Sequence, residues 1–285
     1  MKIFLTGGTG FIGSHFINKA HSQGFEIIAL KRKGSVPRVT LEKEPTWVEG
    51  QLDENYSNIF MGCDVLVHFA AHSANTPYDS LEKCLYWNVV ATLKLFNQAE
   101  RSGIKKFIVA GSGFEYGLSG EEYEFIPTNA LLKPINSYPI SKATSSTVLY
   151  GWSLEKHVKL KILRIFRVFG EGELENRLWP SLRKSALIGE DYQMTKGEQI
   201  RDFIHVEEVV NKFLDELNFK NIHNDIPIIL NIGTGKPMSV FNFSKYWWNK
   251  WKAKGQLKVG TIPYRANEIM RCVPKINDNN SEKNE

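Results

Sequence analysis

Lys2-Ile3-Phe4-Leu5-Thr6-Gly7-Gly8-Thr9-Gly10-Phe11-Ile12-Gly13 opens the chain with a short strand-like run and a turn in which glycine recurs. Beyond it, Ile12, Phe16, Ile17 and Ala20 share one helical face, Gly24 stops that helix, and Phe25 to Leu30 begins a second apolar run. The order strand, glycine turn, helix, strand predicts one βαβ unit. A pyrophosphate needs bare backbone N–H groups at a helix N-terminus, and Cβ atoms at the turn would hold it away. Gly7, Gly10 and Gly13 supply that bareness. Such spacing also suits an ordinary tight turn, and it is the place between a strand and an amphipathic helix that makes it a dinucleotide signal.

Outward from this unit, short β-branched runs alternate with helical periods as far as Phe169. The expected strands are Lys2 to Thr6, Phe25 to Leu30, Thr46 to Val48, Asp64 to Phe69, Lys106 to Ala110 and Leu160 to Ile165. That alternation predicts an α/β fold with a doubly wound, mostly parallel sheet over residues 1–169. After Gly170 the elements shorten: a helix from Pro180 to Ile188, the run Arg201 to Val206, a helix from Glu207 to Leu217 and a strand from Ile228 to Ile232. Residues 170–285 therefore read as a smaller, substrate-binding lobe. In its last helix Phe243, Trp247 and Trp251 stand four apart, a stripe expected to be buried in the lobe rather than to meet a second copy. Asn277 to Glu285 carries no apolar residue and is expected to be a disordered tail.

Bulk composition narrows the class. Hydrophobic residues make up 42% and charged residues 24%, ordinary values for a globular protein able to bury a full core. Cys63, Cys84 and Cys272 have neither paired nor metal-ligand spacing, so no metal is expected and a reduced, cytoplasmic setting fits. The apolar run Ile3 to Leu5 is too short for a signal-peptide core, and no stretch is long enough to cross a bilayer. A net charge of +5 is scattered and forms no basic stripe with aromatics, which argues against nucleic acid.

Enzymes that hold NAD place a carboxylate at the end of the second strand for the ribose 2′-hydroxyl. Here the stretch reads Leu30-Lys31-Arg32-Lys33. Cations without a carboxylate favour the 2′-phosphate, so NADP(H) is expected to be preferred, with NAD(H) the lesser option. The plain alternative is a solvated basic loop.

In Tyr138-Pro139-Ile140-Ser141-Lys142 the phenol and the ammonium stand four apart, one helical turn, with proline where a first turn tolerates it. A neighbouring ammonium favours phenolate, which would bring the phenol towards a working range for proton exchange. Ser112, in Ala110-Gly111-Ser112-Gly113 after the fifth strand, sits at the carboxyl edge of the sheet and could bond the same substrate oxygen. Singly each residue would mean little; together they predict a catalytic set of Ser112, Tyr138 and Lys142.

These residues resemble the extended short-chain dehydrogenases/reductases of the nucleotide-sugar epimerase, dehydratase and reductase group, over nearly the whole chain. The resemblance rests on Gly7 to Gly13, His68-Phe69-Ala70-Ala71, Asn88 to Thr92, Ser112 to Gly117, Tyr138 to Lys142 and Arg201 to Val206. It implies a Rossmann-type fold and a cofactor site of Gly7, Gly10, Phe11, Ile12, Gly13, Lys31, Arg32, Gln51, Leu52, Ala70, Tyr138 and Lys142. It also implies that Arg201 and Arg265 grip a sugar nucleotide's diphosphate, with Asn176 on the loop over the sugar, and a homodimer by analogy.

The departures narrow the chemistry. The related 4,6-dehydratases follow the serine position with Asp and Glu, where this chain has Gly113 and Phe114; Phe114 and Arg177 likewise stand where GDP-fucose synthase-type enzymes use cysteine and histidine. Gln51 replaces an adenine-binding Asp, Glu171 replaces a proline, and the chain ends soon after Pro274, which implies a trimmed or replaced last segment. What remains is NADPH-dependent reduction of a 4-keto deoxyhexose on a nucleoside diphosphate, for deoxysugar and polysaccharide precursors. Gly197 to Ile204 and Asn267 to Met270 are similar to segments of CDP-abequose and CDP-paratose synthases. The alternatives are a 4-epimerase that retains NAD(P) and a non-catalytic NADP(H)-binding sensor or scaffold.

Overall fold

The computed structural model describes residues 1–276. Six strands, β1 (Lys2–Thr6), β2 (Glu26–Lys31), β3 (Thr46–Glu49), β4 (Val65–His68), β5 (Lys106–Ser112) and β6 (Lys159–Ile165), lie within two residues of their expected bounds. All their pairings are parallel, with Leu5 of β1 facing Ala29 on one side and Val67 on the other. Burial on both faces explains why β1 and β4 read as unbroken apolar runs. The chain winds outward from β1 in both directions, so the strand order reverses between β1 and β4. Ligands of open parallel sheets bind beyond the carboxyl ends at such a point.

Helices cover both faces. Against one lie α1 (Phe11–Ser22) and its neighbours; against the other lie α2 (Ser57–Phe60), α3 (Leu81–Leu85), α4 (Thr92–Arg101) and α5 (Ser137–Glu155). The turn Tyr86–Ala91 joins α3 to α4 as a π-helical segment. Phe4, Phe96, Phe107 and Trp152 fill the core under α4 and α5.

Beyond β7 (Arg167–Phe169) come α6 (Leu178–Ile188), β8 (Tyr192–Met194), β9 (Ile200–His205), α7 (Val206–Asp215) and β10 (Ile228–Ile232). The last two return to the large layer, although both follow the boundary expected at residue 169. β10 pairs in parallel with β6 and completes a seven-stranded sheet. α7 packs on α1, and its Phe213 ring lies 4.6 Å from that of Phe69. A short apolar strand reads the same whichever sheet receives it, so sequence periodicity could not assign β10.

What stays in the smaller lobe is β9 with β7, β11 (Pro237–Ser239) and β13 (Arg271–Cys272), the pair of β8 with β12 (Leu257–Val259), and the helices α6 and α8 (Val240–Lys250). The aromatic stripe of α8 is internal to it: Phe243 stacks on Phe203 at 3.8 Å, and Trp247 and Trp251 both lie 5.6 Å or less from neighbouring rings. The expected tail, Asn277 to Glu285, lies outside the described residues. No helix among the described residues is long and apolar enough to cross a membrane.

Candidate active site

A cleft of about 980 Å³ runs across the carboxyl edge of the sheet between the two lobes. Gly7, Gly10 and Gly13 line it, but they do different work. Gly7 has φ +73°, and a Cβ there would sit 2.5 Å from the Ala70 amide nitrogen. A Cβ on Gly13 would sit 2.2 Å from the Gly7 carbonyl, so that glycine lets α1 close on β1. Around Gly10 the nearest atom to a Cβ is 3.1 Å away, which leaves its open side to the cleft. No side chain caps the first turn of α1 and no acidic residue sits in it. Its amide donors and dipole thus remain free for an anion, and the turn fits a dinucleotide pyrophosphate.

At the outer end Lys31, Arg32, Gln51 and Leu52 line the cleft as expected, and Phe11, Ile12 and Ala70 line its floor. Lys31 is partly committed, 3.5 Å from Glu49 and 5.1 Å over the Trp47 ring. Arg32 is exposed and faces in, Lys33 is outside the lining, and Arg38 joins from the following loop. Arg38 escaped sequence reading because it lies six residues beyond Arg32; the Arg38–Val39 stretch is brought back where it packs against Gly172.

At the inner end Ser112, Tyr138 and Lys142 all line the cleft, and all three are buried. Asn136 starts α5, which puts Tyr138 and Pro139 in the first turn and Lys142 one turn on. Asn88, in the π-helical segment, fixes this helix: it accepts from the His72 amide at 2.6 Å and donates to the Ser141 hydroxyl at 2.9 Å. Sequence reading assigned Asn88 only to a similar helix, not to this tether.

The electrostatics differ from the expected pairing. Burial pushes the Tyr138 phenol well above its ordinary range, and the Glu115 carboxylate and Tyr78 add to the rise. A hydrogen bond with Ser112 and the charge of Arg177 pull the other way. Lys142 instead donates to the Ala110 carbonyl at 2.7 Å, and burial lowers its own pKa. Glu115 is no free acid: it accepts from the Ser112 amide at 2.7 Å and from Arg164 at 2.8 Å.

The residues expected to hold substrate are scattered. Asn176 and Arg265 are exposed and lie outside the cleft lining. Arg201, also outside, donates to Glu268 at 3.0 Å and to the Ile200 and Ile269 carbonyls. What lines the inner end instead is Tyr78, Glu173 and Arg177. The Tyr78 ring stacks 5.7 Å from that of Tyr138 at 29°. Burial raises its pKa, and Arg177, Arg265 and Arg167 counter the rise. Sequence reading picked out Arg177 only as the residue standing where GDP-fucose synthase-type enzymes use a histidine and left Glu173 unassigned; their four-residue spacing is the signal that their 3.5 Å ion pair uses.

A sequence model of the NAD dependent epimerase/dehydratase family matches residues 3–233. CDP-abequose synthase of Salmonella muenchen is 27% identical over 277 residues, covering 94% of this chain and 87% of that protein. A putative UDP-glucose 4-epimerase of Methanocaldococcus jannaschii is 28% identical over 84% of this chain and 78% of its own length. Among solved structures, the UDP-N-acetylglucosamine 4-epimerase of Methanobrevibacter ruminantium superposes with a TM-score of 0.86 at 24% identity, over 96% of this chain and 89% of that one.

Proposed function

This chain belongs to the NAD dependent epimerase/dehydratase family, and from that premise we propose that it reduces a 4-keto deoxyhexose carried on a nucleoside diphosphate, with NADPH as reductant. The observation that carries this is the joining of Ser112, Tyr138 and Lys142 to a bare glycine turn within one cleft. When bound there, NADPH would supply the hydride. Tyr138 gives its proton to the oxygen of the carbonyl as that carbon becomes an alcohol, and solvent restores the phenol. Burial keeps Tyr138 protonated, which suits a group that donates in the reductive direction. Ser112 shares the same oxygen and fixes its position. Lys142, held by the Ala110 carbonyl, would bind the nicotinamide ribose.

The choice of NADPH rests on the outer end of the cleft. Arg32 and Arg38 line it, and no carboxylate among the described residues does. Two guanidiniums match a dianionic 2′-phosphate, whereas an NAD ribose would find no acceptor there. A cofactor that must leave after each turnover fits net reduction. The same catalytic set would also serve a 4-epimerase, and curated relatives of that kind favour keeping this second reading.

Purified protein mixed with NADPH and freshly generated 4-keto-deoxyhexoses on CDP, dTDP, UDP and GDP should consume NADPH with at least one of them. Interconversion of UDP-glucose and UDP-galactose without net cofactor change would instead establish the epimerase. Tight NADPH binding with no turnover of either kind would leave a binding protein.

A further inference from the structure

Glu173 is the buried acid of the cleft that catalysis does not use. Its side chain is 7% exposed, and one oxygen lies 3.5 Å from the Arg177 guanidinium. Its other oxygen, Oε2, is buried and has no hydrogen-bond partner. An unpartnered carboxylate oxygen in a protein interior is costly, and native structures seldom retain one without a reason. Yet the residue lines the cleft together with Tyr78, Ser112 and Tyr138, at the end where the proposed reaction places the reacting carbon. A donor that arrives in the cleft would supply the missing partner.

We propose that Glu173, aligned by Arg177, is a sugar-recognition residue whose Oε2 accepts a hydrogen bond from a ring hydroxyl of the bound hexose. This deepens the reading of the chain as a nucleotide-sugar enzyme and rests on it. The chemistry is selective. A carboxylate only accepts, so it favours a hydroxyl and offers nothing to a carbonyl oxygen or a phosphate. Phosphate is better served by the guanidiniums around it. Arg177 faces Glu173 from its own turn and Arg167 from β7, and behind Arg167 stand Arg201 and Glu268. Besides Lys31, Arg32 and Arg38 at the outer end, the other titratable groups lining the cleft are Tyr78, Tyr138, Lys142 and the His72–Asp79 pair. A polar residue of this kind separates a hydroxylated sugar from its deoxy analogue far more sharply than an apolar pocket does.

The test compares what a sugar adds to binding. Protein saturated with NADP⁺ is titrated by calorimetry with CDP-glucose and UDP-glucose, and with CDP and UDP alone. In the wild type the hexose should tighten binding for at least one base. Glu173→Gln should erase about tenfold or more of that gain and leave the affinity for the bare nucleoside diphosphate unchanged. In the unmutated protein the gain should also shrink as pH falls from 8 to 5.5, because protonation removes an acceptor. That measurement does not depend on a variant folding. A gain that is absent in the wild type, that survives in Glu173→Gln, or that is lost together with nucleoside diphosphate affinity overturns the assignment. Failure of the reductase proposal is seen elsewhere, in NADPH consumption, so the two outcomes are separable.

Discussion

At the end of the cleft proposed to take the cofactor's adenosine the walls are backbone and strand ends, Gly7 to Gly13 and Gly50 to Leu52, with arginines reaching in from solvent. At the end proposed to take the sugar they are side chains, buried Tyr138 and Glu173 with half-buried Tyr78 and Arg177, drawn from three separate stretches of chain. The first end recognises through geometry that glycine permits, and it needs little desolvation. The second end holds charge and phenol in the interior, where each group's behaviour depends on what stands beside it. A fold can keep the first end constant while the second is rewritten. That contrast matches the presence of a CDP-abequose synthase and a putative UDP-glucose 4-epimerase among the relatives at similar identity.

The largest effect expected from breaking this contrast is at Tyr138. Tyr138→Phe removes the proposed proton donor without altering the ring that stacks on Tyr78. Turnover should fall by about a hundredfold or more, while NADPH affinity, set at the opposite end, stays within about twofold by fluorescence titration. Equal loss of both would mean that the two ends are not separable.

Glu173 gives the next largest effect, and it appears in stability. Burial pushes its carboxyl up from 4.5 to about 7 against the pull of Arg177 and Arg167. An acid whose folded-state pKa lies above its unfolded value binds its proton more tightly when folded. Its contribution is therefore fully present below pH 4.5 and lost as pH rises through about 7. The loss is on the order of 3 kcal/mol. Glu173→Gln should therefore gain stability relative to the wild type between pH 5 and pH 8, measured by urea unfolding at each pH. A difference that does not change with pH would place the carboxylate in contact with water and weaken the contrast between the ends.

The same contrast explains what could be read from the sequence. Gly7, Gly13, Tyr138 and Lys142 are legible because a local rule forces each: a close backbone approach for the glycines, one helical turn for the pair. All the residues expected to hold cofactor line the cleft. The rest of the sugar end was not legible. Arg201 has the residue type for a diphosphate, but the chain places Glu268 and the Ile269 carbonyl beside it. Glu173 and Tyr78 belong to loops with no periodicity; the loop after β4 carries Tyr78 to the phenol, and Glu173 reaches the cleft only through the way the second lobe docks. β10 failed in the same way, since its identity as a strand was local and its partner was not.

Arg38 supplies the smallest effect and the finest division within the adenosine end. Arg32, Lys33 and Arg38 are all exposed, but only Arg32 and Arg38 line the cleft. Arg38→Ala should weaken NADPH by about tenfold, near 1.4 kcal/mol, and NADH by no more than about twofold, because only the former offers a 2′-phosphate. Lys33→Ala should change neither. Exposure and screening keep the expected value at the low end for a charged hydrogen bond, so raising salt should narrow the difference further. If removing both arginines leaves NADPH preferred over NADH, the choice of cofactor is made without cations. The outer end would then owe its selectivity to Gln51 and the shape of the strand ends, and it would resemble the sugar end in depending on neighbours rather than on charge alone.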